Sequence, residues 1–328
     1  MSPRVATSIA VPKEPYVSAE ISYGKAKIPL YRVYARPLAN ITPIPESSFT
    51  GRSNTLMAAE IDVEVFGNNF LPAYTAGDNR NVVATDTMKN FVLRQALAFD
   101  GSTLEGYVQF LGRELLATYD VMQALRVSGR ELPFVPAHVP AGGGGSFAAS
   151  DVLYRRSHDD YALAALDFAR SNGGVEVTAH QCGRIGLQLL KVTGSSFTKF
   201  ARDTYTTLPE RADRPLFITL DVHWRYADVA DLVGVETGRY VPPEQVRDLV
   251  QTVFHEFVSE SIQHLVHEMG QRLLQRFPQL AEVSFAAQNH TPDPLATSDA
   301  DPKVKVYSSP FPAFGLIKLK LDRSDERG

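Results

Sequence analysis

Residues 60–66 read EIDVEVF, and they are the clearest indicator of the fold. Their apolar residues alternate with acidic ones, a period of two that is typical of a half-buried β-strand. This strand extends over 57–66, and a further strand is predicted over 19–34. The following stretch, 86–119, has the pattern of helices. Because glycines at 101 and 106 interrupt that stretch, we expect a pair of helices.

The same order of elements recurs in the second part of the chain. Each part contains two strands, a helix pair and two further strands. This repeated order predicts an α+β fold of two tandem antiparallel sheets, each with helices on one face. The repeat lies in the order of elements, and no residue-by-residue repeat is evident. A turn signal at 172–174 sets the predicted domains at 1–172 and 173–328. The remaining predicted elements are strands over 121–133, 161–169, 175–192, 216–226, 282–287 and 314–321, and a helix pair over 243–277.

The composition is that of a globular protein of 328 residues, with 44% hydrophobic and 21% charged residues. A formal net charge of -4 predicts neither a nucleic acid partner nor a membrane partner. The single cysteine, Cys182, excludes an internal disulfide and is expected to be a small packed residue. Residues 1–16 lack the apolar stretch of a secretory signal, and the C-terminal DERG is not the peroxisomal Ser-Lys-Leu signal. These features predict a soluble cytoplasmic protein.

The usual cofactor motifs are missing from the sequence. It has no dinucleotide-binding glycine motif after a strand, no Walker motif and no paired cysteines. Residues 141–146, AGGGGS, lack the Lys-Ser/Thr of a phosphate loop and predict a flexible surface loop. The best metal candidates are His264 and His267, which would share one helix face. The alternative is that both histidines are solvated or packed.

Residues 187–214 read LQLLKVTGSSFTKFARDTYTTLPERADR, a strand that runs into a long polar loop. Such a loop positioned by a sheet is either a ligand site or an ordinary surface loop with aromatics packed beneath it. The segment resembles, position by position, the signature of the urate oxidase (uricase) family. The positions that carry this resemblance are Phe197, Phe200, Tyr205, Leu208 and Arg214.

The resemblance covers nearly the whole chain. Tyr23-Gly24-Lys25 is similar to the family's first-strand motif, and residues 78–86 to the segment that enters the first helix pair. Residues 66–71, FGNNFL, resemble a bacterial subgroup. The resemblance implies two tandem tunnelling-fold domains, assembled as a homotetramer.

The family's substrate, urate, is a flat anion with hydrogen-bonding groups around its rim. The resemblance implies that Phe197 stacks on its rings and that Arg214 holds it with a planar fork, a task that lysine does poorly. It also implies that Gln263 closes the other side, with the backbone of Ile262 beside it, and that Asn289 faces the oxygen or water position. The alternatives are a solvated helical Gln263 and an Arg214 that forms a surface ion pair.

Thr85 and Asp86 stand where a helix begins. The resemblance implies that they reach the substrate from a neighbouring subunit and that Lys25 with Thr85 forms a proton relay. A lysine acts as a base only in its neutral form, which burial at an interface favours. The alternatives are a helix N-cap at Thr85 and an exposed strand lysine at Lys25.

One departure concerns residues 288–291, which read Gln-Asn-His-Thr where the common family pattern is Asn-Lys-His. An ungapped alignment puts Thr291 in the place of the family histidine. His290 stands one position early and on a strand would point to the opposite face. Either a bulge restores His290 to the relay, or Thr291 substitutes for it.

The resemblance implies oxidation of urate by dioxygen and water to 5-hydroxyisourate and hydrogen peroxide, with no cofactor. Such chemistry is plausible because urate itself is the reductant. One alternative is a zinc-dependent purine- or pterin-processing enzyme of the same fold, using His264 and His267. The other is a non-catalytic purine-binding protein, against which the presence of Lys25 and Thr85 argues.

Overall fold

The computed structural model describes residues 20–142, 145–308 and 312–323. The expectations for the N-terminal residues 1–16, for the C-terminal DERG and for two glycines of the 141–146 loop, Gly143 and Gly144, lie outside the described residues. No helix within the described ranges is long and apolar enough to cross a membrane.

The elements follow the predicted order twice. The first half of the chain contains β1 (Ser22–Val33), β2 (Leu56–Phe66), α1 (Leu71–Thr75), α2 (Thr85–Ala98), α3 (Leu104–Thr118), β3 (Ala124–Glu131), β4 (Phe134–Pro140), β5 (Phe147–Arg156) and β6 (Tyr161–Ser171). The second half contains β7 (Gly174–Lys191), β8 (Leu216–Tyr226), a short 3₁₀ helix (Val229–Val233), α4 (Pro243–Glu256), α5 (Ile262–Arg276), β9 (Leu280–His290), β10 (Asp293–Thr297), β11 (Lys305–Ser308) and β12 (Gly315–Asp322).

Eight of these strands form one antiparallel sheet in the order β1-β2-β3-β6-β7-β8-β9-β12. β6 and β7 pair on either side of the turn at 172–174, so the two halves share a continuous sheet. The four long helices pack on the sheet: α2 against β1, α3 against β3 and β6, α4 against β7, and α5 against β9 and β12. Every second residue of β8 is buried, as expected of a strand with one face in the core. The predicted α+β tunnelling fold is confirmed.

Two hairpins were not predicted. β4 pairs with β5, and β10 pairs with β11, each outside the main sheet. Most of their residues are exposed on both sides, so the sequence carries no alternation of buried and exposed positions to reveal them. The predicted surface loop at 141–146 falls between β4 and β5 in the chain.

The helix pairs of the two halves match in length and spacing. α2 and α4 each have 14 residues, and α3 and α5 each have 15. Thr85 and Pro243 begin the first helix of each pair, and Leu104 and Ile262 begin the second. Both pairs of positions are 158 residues apart. The halves therefore correspond residue by residue over their helices, a repeat that the sequence alone did not reveal.

Candidate functional site

The loop between β7 and β8 is built as a short, irregular hairpin. Phe197 and Arg211 exchange both backbone hydrogen bonds, at 2.8 and 3.0 Å, and the Arg214 N–H donates to the Ser195 carbonyl at 2.8 Å. The Asp213 carboxylate accepts from the Gly194 N–H at 2.7 Å. These bonds hold Phe197 and Arg214 on one well-defined unit. We call these two residues the clamp.

Arg214 is a buried cation with no anionic partner among the described residues. Its residue is 8% exposed, and its Nε atom is buried and has no hydrogen-bond partner among the described residues. Burial and the neighbouring Arg211 lower the pKa of the guanidinium from its ordinary value, yet an arginine stays protonated in proteins. A buried charge is normally paired. The unpaired guanidinium is therefore suited to an anion that is not part of this chain.

Phe197 supplies an aromatic surface beside this charge. The guanidinium carbon of Arg214 lies 5.3 Å from the centroid of the Phe197 ring. The Phe200 ring stacks on Phe197 with centroids 4.9 Å apart and an interplanar angle of 9°. Phe200 thus stacks on Phe197 while the Arg214 guanidinium lies over the same ring, so the cation and the two aromatic rings form one cluster.

The clamp is joined to the start of α5 by two buried serines. The Ser196 N–H donates to the Ser259 carbonyl at 2.8 Å, and Ser195 and Ser259 are both fully buried. Ser261 then caps α5 by accepting from the His264 N–H at 3.1 Å. Ile262 is buried and Gln263 is exposed in the first turn of this helix. The hairpin thus brings the clamp and the predicted amide of Gln263 to the same end of the second half.

Asn289 and His290 lie at the end of β9 and point to opposite faces of the sheet. Asn289 pairs with the core residue Ile218, and its buried Oδ1 atom has no partner among the described residues. The His290 Nε2 atom lies 3.1 Å from the Thr219 hydroxyl, on the other face. The register of β9 shows no bulge between residues 282 and 290 against β8, or between residues 282 and 289 against β12. His290 is therefore not restored to the face of Asn289.

Lys25 lies close enough to Asp86 for its charge to act on that carboxyl, and Thr85 precedes Asp86 at the start of α2. The Val83 N–H donates to the Tyr23 hydroxyl at 3.0 Å, which fixes the start of α2 against β1. A side chain at Gly24 would place its Cβ 1.9 Å from the Val63 carbonyl oxygen, so only glycine fits before Lys25.

Thr85 is the first residue of α2 and does not cap it. The N-cap of α2 is Ala84, without a side-chain cap, so the alternative interpretation of Thr85 as the N-cap does not apply. Asp86 accepts from Lys89 at 2.5 Å, and this hydrogen bond holds the pKa of the Asp86 carboxyl below its usual value. The nearby charge of Lys25 acts in the same direction.

The histidines suggested for zinc lie on the surface of α5. His264 and His267 are both exposed on α5, and the His264 ring contacts Phe257 edge-on at 4.7 Å. Within the described ranges, no three His, Cys, Asp or Glu side chains group as metal ligands. Cys182 is buried in the core, as expected.

Sequence reasoning missed the residues that hold these groups in place. Ser259 donates to the Ser195 hydroxyl and so connects the clamp to α5, but isolated serines carry no signal of a long-range contact. Lys89 was also missed. Its spacing of three residues from Asp86 on a helix would have predicted the ion pair.

Comparison with known proteins agrees with this geometry. A family model described as Uricase matches residues 180–318, the segment that contains the clamp. A uricase of Haloferax volcanii is 44% identical over 305 residues, which are 93% of this chain and 99% of that protein. A uric acid degradation bifunctional protein of Bacillus subtilis is 41% identical over 98% of this chain, which spans 65% of that protein's length.

Solved structures agree with the sequence comparison. The crystal structure of Bacillus sp. TB-90 urate oxidase matches with a TM-score of 0.89 at 39% identity, covering 93% of this chain and 100% of that one. A uricase from Bacillus fastidious matches with a TM-score of 0.90 at 39% identity, covering 93% of this chain and 94% of that one. With relatives this similar along almost its entire length, the chain belongs to the uricase family.

Proposed function

We propose that this chain oxidises urate with dioxygen and water to 5-hydroxyisourate and hydrogen peroxide, without a metal or organic cofactor. The observation that carries the proposal is the Arg214 guanidinium, which is buried, lies over an aromatic ring and has no anionic partner in the part of the chain that the structure describes. Urate is a planar anion that satisfies both the charge and the ring. The names of the relatives, uricase and urate oxidase, support the same substrate.

The clamp and the start of α5 bind the substrate in this proposal. Arg214 donates two parallel hydrogen bonds to a carbonyl and a ring nitrogen of urate, and Phe197 stacks on the ring. Gln263 donates and accepts on the opposite rim, beside the backbone of Ile262. The unpartnered Oδ1 atom of Asn289 supports its role above the ring, where it faces dioxygen or water.

The proton relay consists of Lys25 and Thr85, with Asp86 next to the substrate. Asn289 lies on β9 and Lys25 on β1, six inter-strand steps apart in the sheet. At a strand spacing of about 4.8 Å this is about 29 Å, far more than the length of one urate. Lys25 and Thr85 therefore reach the clamp from a second copy of the chain, so that each active site lies between subunits.

The relay is completed by a residue on the face of Asn289. Sequence reasoning left His290 and Thr291 open for this role. Because the His290 ring bonds to Thr219 on the other face, we assign the role to Thr291. His290 remains the alternative, on the family resemblance alone.

The assembly we propose is a homotetramer whose only ligands are urate and dioxygen. Each chain contributes two tunnelling-fold domains, 1–172 and 173–328, with the boundary at the turn between β6 and β7. The cytoplasm is the proposed location, because the single cysteine, Cys182, is a buried thiol.

Urate provides the electrons of the reaction. The relay removes protons until urate is a dianion, which passes one electron to dioxygen and so avoids the spin barrier. The two radicals recombine to a hydroperoxide on the ring. Loss of hydrogen peroxide and addition of water give 5-hydroxyisourate, so that one dioxygen and one water are consumed for each urate.

The test is to mix chelator-treated protein with urate in the presence of oxygen and to follow urate absorbance and peroxide together. Equal rates of urate loss and peroxide release are expected. No loss of urate, or activity that is abolished by the chelator and restored by zinc, would overturn the proposal. Tight binding of urate without turnover would instead identify a purine-binding protein.

A further inference from the structure

A cavity of about 300 Å³ lies between the two halves of the chain. It is bounded by the start of α3 and the end of β3 in the first half, and by Arg184 of β7 and the start of α4 in the second. Its volume lies at the lower end of the range typical of small-molecule sites. It contains neither Phe197 nor Arg214. We call it the junction cavity.

The internal repeat relates the junction cavity to the urate site. The pairing register of β1 shifts between Lys25 and Ile28, and that of β7 shifts between Arg184 and Leu187. Lys25 pairs with Val63 of β2, and Arg184 pairs with Val222 of β8. All these corresponding positions are 159 residues apart, so Arg184 occupies the position of Lys25 in the second half.

The other positions correspond in the same way. Glu105 and Gln263 are both the second residue of the second helix, and Glu131 and Asn289 pair with corresponding residues of β2 and β8. Each candidate site residue has a counterpart at the corresponding position of the other half of the chain. For eight of the nine, that counterpart lines the junction cavity. These counterparts are Thr55 for Arg214, Leu104 for Ile262, Glu105 for Gln263, Glu131 for Asn289, Leu132 for His290, Arg184 for Lys25, Pro243 for Thr85 and Glu244 for Asp86.

The charge of the cavity is opposite to that of the urate site. At the position that corresponds to the cationic Arg214 the cavity has Thr55, and at the position that corresponds to the amide Gln263 it has the carboxylate Glu105. Five carboxylates and three guanidinium groups line the cavity, an excess of negative charge when all are ionised. The cavity therefore repels an anion such as urate and favours a ligand that donates hydrogen bonds.

Unpartnered buried atoms define what such a ligand must offer. Glu105 is 1% exposed, and its Oε2 atom accepts from the Tyr240 hydroxyl at 3.0 Å. Its Oε1 atom has no partner among the described residues, and the same holds for Glu244 Oε2 and Arg52 Nε. A complementary ligand has N–H donors for the two carboxylates and one acceptor for the arginine.

We propose that the junction cavity is a second binding site, for a neutral planar heterocycle with adjacent N–H donors and one carbonyl acceptor. The apolar walls, which include Leu56, Leu132 and Phe134, suit the faces of such a ring. Only the comparison with the urate site rests on the proposed function. The existence of the cavity and its unpartnered buried atoms does not depend on that function.

The probe is 2-aminopyrimidin-4-one, which has adjacent ring N–H and amino donors beside one carbonyl. Uracil is the matched control, because a carbonyl replaces the amino donor. Binding is measured by calorimetry on the full-length protein and on two variants, Glu105→Gln in the cavity and Arg214→Ala in the urate site. Urate turnover is measured on the Glu105→Gln variant to show that it folds and assembles.

The probe is expected to bind wild type and Arg214→Ala equally, and to bind Glu105→Gln about tenfold more weakly, since a buried hydrogen bond to a charged group is lost. Uracil is expected to bind more weakly than the probe. No binding to the wild type, as when water alone fills the cavity, would overturn the proposal whether or not the variants fold. Binding lost in Arg214→Ala but kept in Glu105→Gln would place the probe in the urate site and also overturn it. Failure of urate turnover in the wild type would count only against the proposed function.

Discussion

The guanidinium carbon of Arg214 lies 5.3 Å from the centroid of the Phe197 ring, while the Arg214 Nε atom, inside the protein, donates to no described residue. A buried arginine costs stability unless it is paired, so this arrangement is disfavoured until a ligand completes it. The clamp is thus prepared for an anion with a planar face, and the residues of the clamp are expected to control affinity.

Replacing Arg214 by lysine is expected to raise the KM for urate about 30-fold or more while kcat changes little. A lysine keeps the positive charge but has no planar fork, so at least one of two charge-assisted hydrogen bonds is lost, about 2 kcal/mol. Steady-state kinetics with urate measure both constants. Arg202→Lys is the matched control, because Arg202 lies over Phe200 in the same loop and is exposed. A selective fall in kcat would contradict the assignment.

Replacing Lys25 by alanine is expected to lower kcat about 100-fold or more with little change in KM, because a general base contributes to the transition state alone. Lys27→Ala is the control. Lys27 belongs to the same irregular part of β1 and is exposed. Equal turnover in the two variants would remove Lys25 from the mechanism.

Mixed oligomers test whether the site lies between subunits. Lys25→Ala and Arg214→Ala chains are each expected to be nearly inactive. Co-expressed in equal amounts, they should recover up to about a quarter of wild-type activity, because a random quarter of the sites combine an intact Lys25 with an intact Arg214. Each variant expressed alone with itself is the control. If the co-expressed chains are no more active than the two variants expressed separately, Lys25 and Arg214 act within one chain.

Sequence periodicity predicted the elements that bury one face and failed for those that do not. β8 alternates buried and less buried residues along its length, and its predicted bounds, 216–226, agree with the structure. β5 is exposed on both faces, so tertiary position rather than pattern decides that it is a strand. The residues of the clamp were predicted through the family resemblance, whereas Ser195 and Ser259 were not, because their contact spans 64 residues.

The internal repeat was invisible for a related reason. The two halves share helix lengths and the positions of register shifts in their strands, but the side chains at corresponding site positions differ. The second half has Gln263 where the first has Glu105, and Asn289 where the first has Glu131. Backbone geometry is set by packing. Gly112 and Gly270 are an example, since a Cβ at either position would displace a side chain packed against it, Phe168 or Leu321. The chemistry at the site is free to change, and sequence identity disappears where function differs.

The two faces of β9 predict different effects for neighbouring residues. Asn289→Ala is expected to lower kcat about tenfold or more, because in the proposed mechanism the buried, unpartnered Oδ1 side of Asn289 faces dioxygen or water. His290→Ala is expected to change kcat less than about threefold, since the His290 ring contacts Thr219 and Phe217 on the opposite face. Thr291→Val provides the comparison for the relay. A large fall in kcat for His290→Ala alone would return the relay role to His290.

Glu105 predicts a pH dependence of stability. Burial raises the pKa of the Glu105 carboxyl to about 7, while hydrogen bonding from Tyr240 and the charge of Arg52 oppose the rise only in part. An acid whose folded pKa is raised binds more protons in the folded state, so the free energy of unfolding falls as pH rises between about 4.5 and 7. A rise of this size corresponds to a loss of roughly 3 kcal/mol.

Glu105→Gln removes the ionisation and keeps the shape of the side chain. The variant is therefore expected to gain stability relative to the wild type as pH rises from 5 to 8, by up to roughly 3 kcal/mol. Denaturant unfolding of both proteins at each pH measures this gain, and the other carboxylates cancel in the difference. Glu60→Gln is the matched control, because Glu60 pairs with Arg130 near the surface and should show no comparable gain. A difference between Glu105→Gln and wild type that does not change with pH would mean that Glu105 has the same charge in the folded and unfolded states, contrary to its burial beside Tyr240.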